Sequence, residues 1–474
     1  MSSELCDLTV RELTAQYQTG TVSPVDVMQQ VLARIRTFDP AVNAFCQIAD
    51  DALDMARASE RRWQRRSPLG PLDGIPVSIK DNVAVAGMAT RYGSLTTPTH
   101  PAQNDSPCVA RLRDAGAVCF GKTTLPDFAH KIVTDSPLTG VTRNPWRLDH
   151  TPGGSSGGAA AAVALGMAPV AIGTDGGGSI RIPAAFTGTF GFKPSFGRVP
   201  HAPRGPFALL SHVGPMARCV EDAARIMTVI SRPDSRDWYA LPFDGSDYEQ
   251  GLRCQLVPGG IRIALSPTLG LPVEIEPDVH DAVRRAGEIF RELGASVRLA
   301  DPPGVKRCNA IHATLWPACC SQLAGSIPDG GVQLDPSLQA YAHAGNDISR
   351  EALLGALVER GELGGAVNAF FGQHDILICP VYPSVAMPLD GLPAGNALFP
   401  HFTAWCNQLG LPAASVYSGM TESGLPVGVQ IVGACHADAL VLWASHVFEQ
   451  ASGRAPLPRL VGGLNAAGPA SSPS

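Results

Sequence analysis

The sequence predicts an α/β protein organised as one large domain, and three observations predict it. Amphipathic helical periodicity alternates with short apolar strand-like runs along most of the chain. No repeat of 20–50 residues sets a solenoid or propeller period. No Pro/Gly/Ser-rich or charged stretch reads as a linker within the 474 residues, a length that can bury an ample core as one α/β unit. The domain is expected over residues 1–462, with a variable, lid-like segment at about 235–370 and a disordered tail at 463–474.

The elements follow from local signals. Thr9-Val10-Arg11-Glu12 fits a capping box opening a short helix that Gly20 closes. Ser23-Pro24 opens a second, with Val27, Met28, Val31, Leu32 and Ile35 on one face and Pro40 past its end. A charged helix spans Asp51 to Arg65. Gly74 to Asn82 reads as a buried strand ending at Lys80, and a helix from Ser106 leads through Gly116 to a strand at Ala117–Phe120. Helix Val220–Ile230 precedes a polar stretch, Ser231 to Leu256. Strand Ile261–Leu265, helix Pro277–Leu293 and strand Ser296–Leu299 resume the alternation. Residues 305–372 read as mostly helical and weakly patterned. Strands at Asp375–Cys379, Ala413–Val416 and Val427–Val432, then a helix over Asp438–Glu449, complete the reading.

Composition narrows the function classes. A net charge of −6 with no basic block argues against nucleic acid as a principal partner. The twelve cysteines show no CxxC and no paired spacing, so they read as small buried hydrophobes of a reducing compartment. The N-terminal residues lack a basic region followed by an apolar core, and the longest apolar run, Gly158 to Ile172, is too short for a membrane span. A cytoplasmic protein with no membrane partner is expected. The His residues show no pairing spacing, and no metal site is expected; His150 and His212 are expected in solvated loops, though either could approach a site nearby.

The chemistry concentrates between Thr151 and Arg198, where glycines frame Ser155-Ser156 and Ser179, with Ser155 and Ser179 24 positions apart. A serine hydroxyl is a poor nucleophile until a base takes its proton. Three readings compete. Gly153-Gly154-Ser155-Ser156-Gly157 matches G-x-S-x-G, but a polar, proline-broken stretch precedes it where a nucleophile elbow needs a buried strand. A phosphate cradle would need Lys-Ser or Lys-Thr after the glycines, or GxGxxG opening a helix, and neither is present. The third reading is a serine hydrolase with a lysine base. Of five lysines (80, 122, 131, 193 and 306), Lys80 ends an apolar strand, and a desolvated lysine can become neutral and accept a proton. The plainer reading of Lys80 is a strand-end residue reaching solvent.

Gly74-Ile75-Pro76-Val77-Ser78-Ile79-Lys80-Asp81-Asn82, then GGSSGGAAAAVA, then GTDGGGSIRIPAAFTGTFGFKPSFGRV resemble the amidase signature family. Gly121-Lys122-Thr123, Thr142 to Trp146, Gly214 to Arg218 and Gly424 to Gln430 extend the resemblance over roughly residues 5 to 455. The resemblance implies a mixed, twisted β-sheet covered by helices on both faces. It also implies a catalytic set of Lys80, Ser155 and Ser179: Ser179 as nucleophile, and Ser155, after a cis peptide bond, relaying the proton to a neutral Lys80. The N–H groups of Gly176, Gly177, Gly178 and Ser179 would form the oxyanion hole, intact but looser for having three glycines.

Ser156, Asp175 and Arg181 would hold the two loops together; read plainly, they are loop caps and a surface ion pair. Phe128 and Ala129 would line the substrate pocket, with 305–372 able to refill the space beside Ala129. The activity implied is hydrolysis of a carboxylic amide to acid and amine through an acyl-Ser179, with no cofactor. The substrate would be a small apolar or aryl amide, or a related carbamate or ester. Alternatives are the glutaminase subunit of a tRNA-dependent amidotransferase and a non-catalytic binding protein on the same fold. Ile182 after Arg181, where the amidotransferase branch usually has Gln, favours a stand-alone hydrolase. A homodimer is compatible with the resemblance.

Overall fold

Thr9 accepts the N–H of Glu12 and the Glu12 carboxylate accepts the N–H of Thr9, which satisfies two donors that helix α1 (Val10–Thr19) would otherwise leave open. Gly20, in the left-handed region, closes it. Ser23 and Asp26 repeat the capping box for α2 (Pro24–Val42). Pro40 lies inside the last turn of α2 rather than past its end. The acceptor left open by the donor a proline lacks is the carbonyl of Arg36, a residue exposed to solvent. The computed structural model describes residues 5–253, 260–328, 333–392, 398–458 and 460, so the tail expected at 463–474 lies outside the described residues.

A four-residue strand that the sequence reading missed, β1 (Phe45–Ile48), precedes α3 (Ala52–Gln64). The strand β2 (Pro76–Lys80) is buried at every position, α4 (Pro107–Asp114) follows, and β3 (Val118–Thr123) ends three residues later than expected. A small hairpin, β4 (Asp135–Ser136) and β5 (Gly140–Val141), leads into the serine region. There α5 (Gly157–Ala164), β6 (Val170–Asp175), α6 (Arg181–Thr187), β7 (Phe190–Lys193) and β8 (His212–Ala217) follow one another. The alternation resumes with α7 (Val220–Ile230), the single turn α8 (Tyr248–Gly251), β9 (Arg262–Leu265), α9 (Pro277–Glu292) and β10 (Ser296–Leu299). The weakly patterned segment is helical, as α10 (Val305–Gly325), α11 (Pro336–Asn346) and α12 (Arg350–Gln373). The chain closes with β11 (Ile376–Pro380), α13 (Ala404–Gln408), β12 (Ala413–Met420), β13 (Pro426–Gly433) and α14 (Asp438–Ser452).

Eleven strands form one mixed sheet in the order β1-β3-β2-β6-β8-β7-β12-β13-β11-β9-β10. The parallel pairs are β2 with β3 and β6, and β9 with β10 and β11; the other neighbours are antiparallel. Both faces are buried. Along β11, Ile376 and Ile378 join the core beneath α7, α9 and α14, whereas Leu377 and Cys379 join the core beneath α10 to α13. That is the two-residue alternation of a strand covered on both sides. Most described cysteines are buried and none is disulfide-bonded. Among the described residues, no helix is long and apolar enough to cross a membrane.

Candidate active site

Three segments converge at the end of β2 and β6. Strand β2 carries Lys80 to its last position, β6 ends at Asp175 and turns through Gly176–Gly178 to Ser179, and the loop before α5 carries Ser155 and Ser156. The Gly154–Ser155 peptide bond is cis, as expected from the resemblance. The Ser156 N–H donates to the Ser179 carbonyl at 3.1 Å, so the two serine loops are joined through the backbone.

Lys80 is fully buried, which overturns the strand-end reading: β2 is covered on both faces and the side chain has no path to solvent. Its Nζ lies 2.8 Å from Ser155 Oγ, 2.8 Å from Ser156 Oγ, 3.0 Å from Thr174 Oγ1 and 3.3 Å from the Thr174 carbonyl. The Ser156 hydroxyl spends its proton on the Thr174 carbonyl at 3.1 Å, so towards Lys80 it is an acceptor. Thr174 Oγ1 also accepts from Asn82 Nδ2 at 2.9 Å. Ser155 Oγ makes no other hydrogen bond among the described residues, and is therefore the hydroxyl free to donate to a neutral amine. Burial pushes the Lys80 ammonium far below the usual lysine range, with the Asp175 carboxylate opposing it in part. The other lysines are engaged elsewhere or exposed: Lys122 with Asp81, Lys131 with Asp135 and Asp335, Lys193 with the Pro194 carbonyl, and Lys306 in solvent.

Asp175 and Arg181 form a wholly buried pair, not a surface one. Arg181 Nε and Nη2 donate to Asp175 Oδ2 and Oδ1 at 3.0 and 2.9 Å. Its other donors reach the Thr403 carbonyl, Gln430 Oε1 and Asn407 Oδ1, so all five guanidinium hydrogens have acceptors. Burial alone would raise the Asp175 carboxyl, but Arg181 outweighs it and holds the group well below the usual carboxylate range. The carboxylate also accepts the N–H of Gly178 at 2.7 Å and of Ile180 at 3.1 Å, bracketing Ser179.

That contact corrects the expected oxyanion hole, because the Gly178 N–H is committed to Asp175. Among the described residues, no acceptor lies on the N–H groups of Gly176, Gly177 or Ser179. Nor is the glycine trio loose. A Cβ on Gly176 would sit 3.1 Å from the Trp316 ring, one on Gly177 3.2 Å from the His312 ring, and one on Gly178 2.3 Å from Thr403 Oγ1. Gly178 also has φ +139°, which a side chain rarely adopts.

Ser179 stands where two chambers meet. One is walled mainly by Ile132, His312, Trp316, Tyr341 and Phe399. The other reaches Ser155, Asn82 and Thr174 and is walled by Tyr92, Phe128 and Phe207. Ala129 and Trp316 line both, and Phe128 lines the second, so the two expected pocket residues are lining residues. Phe128 and Ala129 have φ of +47° and +61°, held by the Asp127 carboxylate on the Asp335 N–H and by His130 on Ser337.

Sequence reasoning missed Trp316, His312 and Tyr341, which α10 and α11 contribute without any motif, and it missed Thr403 and Asn407. Asn82, Thr174 and Gln430 lie within segments that carry the resemblance, but their hydrogen-bonding roles had no local signal. His150 and His212 are buried rather than solvated. His212 Nδ1 bonds the Leu210 carbonyl at 2.8 Å behind Asp175, while His150 pairs with Asp149. Among the described residues, no group of His, Cys, Asp or Glu side chains is placed to hold a metal ion.

A lysine cut off from water beside a serine hydroxyl, under a glycine turn with open N–H groups, suits attack on a carbonyl carbon. Fold and site together mark an enzyme that cleaves amide C–N bonds. The chain belongs to the amidase signature family: the family profile described as Amidase matches residues 26–442. It is similar to a glutamyl-tRNA(Gln) amidotransferase subunit from Thermus thermophilus, at 34% identity over 94% of this chain and 98% of that one. It is also similar to an acylamidase of Rhodococcus erythropolis, at 32% identity over 93% and 95% of the two chains. The crystal structure of a bacterial aryl acylamidase superimposes with a TM-score of 0.85 at 31% identity, covering 94% of this chain and 96% of that one.

Proposed function

We propose that this chain is a stand-alone hydrolase of an uncharged apolar or aryl amide, with carbamates and esters as related substrates, acting through an acyl-Ser179 intermediate. The observation that carries the reading is the 2.8 Å bond between a wholly buried Lys80 and Ser155. Ser179 Oγ attacks the carbonyl carbon while its proton passes to Ser155 Oγ and the Ser155 proton to neutral Lys80. The carbonyl oxygen takes up the negative charge against the N–H groups of Gly176, Gly177 and Ser179. Collapse breaks the C–N bond as the proton returns from Lys80 through Ser155 to the nitrogen, and neutral amine departs. Water then repeats the sequence on the acyl-serine and releases the acid.

The amidotransferase-type relatives make a glutaminase component the second reading. Glutamine is a zwitterion and needs unpaired counter-charges in its pocket. The two cations lining the chambers are both neutralised internally, Lys131 by Asp135 and Asp335, and Arg204 by Asp237. This favours an uncharged substrate, and the intact Lys80, Ser155 and Ser179 set argues against a purely binding role. Purified single chain is expected to release nitroaniline from acyl nitroanilides and to be labelled by a fluorophosphonate, both lost in Ser179→Ala. Turnover of glutamine alone, and only with added subunits, would favour the amidotransferase reading; labelling at Ser155 would overturn the assignment of roles.

A further inference from the structure

The geometry points to Trp316 as the specificity-determining partition of the site, separating a chamber for the acyl group from a slot for a flat, uncharged aryl amine. The inference rests on the Ser179–Ser155–Lys80 reading above. Protons return to the leaving nitrogen through Ser155, and only the second chamber reaches Ser155. The amine therefore lies there and the acyl group in the other. The walls of the amine side are two aromatic pairs: Tyr92 stacked on Phe128, with ring centroids 5.5 Å apart, and Phe207 against Trp316 at 4.4 Å. A slot between two such pairs suits an aromatic ring better than an alkyl chain. Its one cation, Arg204, is spent on Asp237 and on the carbonyls of Ala208 and Ser211, so an anionic substituent on the amine finds no free counter-charge.

Trp316 is held in place by three contacts. Its Nε1 donates to the His130 carbonyl at 3.1 Å, His312 stacks on its ring at 5.1 Å, and Phe207 packs against it at 4.4 Å. It borders both chambers and also lies over the oxyanion turn. Gly176 has a backbone that any residue can adopt, and the indole is what a Cβ there would meet, at 3.1 Å from Cζ3 and 3.3 Å from Cη2. The ring thus fills the space a side chain at position 176 would take. One residue of the weakly patterned helix α10 borders both chambers and leaves a Cβ at position 176 a few tenths of an ångström short of room.

The test is a matrix of kcat/KM values, acyl groups of graded size against anilides and alkylamides, for the full chain and Trp316→Ala. The preference for anilide over alkylamide of the same acyl group is expected to fall by roughly tenfold or more, and bulkier acyl groups to gain, while fluorophosphonate labelling of Ser179 persists. An unchanged matrix in a variant that still labels would overturn the proposal. Turnover or labelling retained in Ser179→Ala would instead overturn the nucleophile assignment beneath it. A second measurement holds if Trp316→Ala does not fold. Gly176→Ala is expected to lose about tenfold in kcat in the wild-type background and to regain most of it with Trp316→Leu. Equal losses in both backgrounds would overturn the contact.

Discussion

Arg181→Met removes the cation from a pocket in which neither partner touches water. The Asp175 carboxylate keeps the N–H groups of Gly178 and Ile180 and Asn407 Nδ2 at 2.9 Å, but loses two charge-assisted bonds. The Thr403 carbonyl, Gln430 Oε1 and Asn407 Oδ1 also lose the donors that Arg181 supplied. Leaving one partner of a buried pair uncompensated costs about 3–5 kcal/mol. The cost depends on pH in a defined sense. In the native chain the Asp175 carboxyl titrates below its unfolded value, so its stabilisation is present above about pH 4 and is lost as the pH falls through the lower folded value. Without Arg181, burial dominates and the folded value rises above the unfolded one. The variant then loses stability as the pH rises. Urea unfolding followed by circular dichroism should show the deficit growing between about pH 4.5 and about pH 7.5. The double variant Asp175→Asn/Arg181→Met should recover part of it. A deficit independent of pH, or below about 1 kcal/mol, would place the pair energetically among screened surface ion pairs and refute the reasoning.

Four further outcomes are expected. Lys80→Met should lower kcat by about 10²–10⁴-fold. The wild-type rate should rise with pH through a Lys80 value well below the lysine range, whereas a profile rising only near that of a solvated lysine would exclude a neutral base. Gly178→Ala should lose both stability and activity, measured by thermal unfolding and nitroanilide turnover, because its Cβ would lie 2.3 Å from Thr403 Oγ1 at φ +139°. Burial pushes the Glu449 carboxyl up to about 7, against Arg454, and burial pushes that of Asp222 up to about 6. Both values are raised, so their stabilisation is complete below about pH 4 and declines as the pH rises through about 6 to 7. Glu449→Gln should flatten that decline in unfolding experiments between about pH 5 and pH 8.

Local pattern in the chain accounts for a defined share of this protein. The helices α1 and α2 start where their capping boxes place them, α7, α9 and α14 where periodicity places them, and β2 ends at Lys80 because its apolar run ends there. The two serine loops and their separation were legible because glycine density and hydroxyl chemistry are written within 30 residues of chain. Tertiary structure decided the rest. Strand β1 is an edge of four residues with one buried position, and β8 carries a glycine and a proline, so neither has a clear local signature. The neighbours β6 and β8, or β7 and β12, are chosen by burial of whole faces rather than by sequence proximity. The titration of Lys80 was open while its strand could end in solvent; only the layers packed over β2 remove the water and push its ammonium below the usual lysine range. The partner packed over the glycine turn before Ser179 is likewise non-local. Trp316 lies 140 residues beyond Gly176, and no spacing in the chain links an indole in a weakly patterned helix to the glycine beneath it.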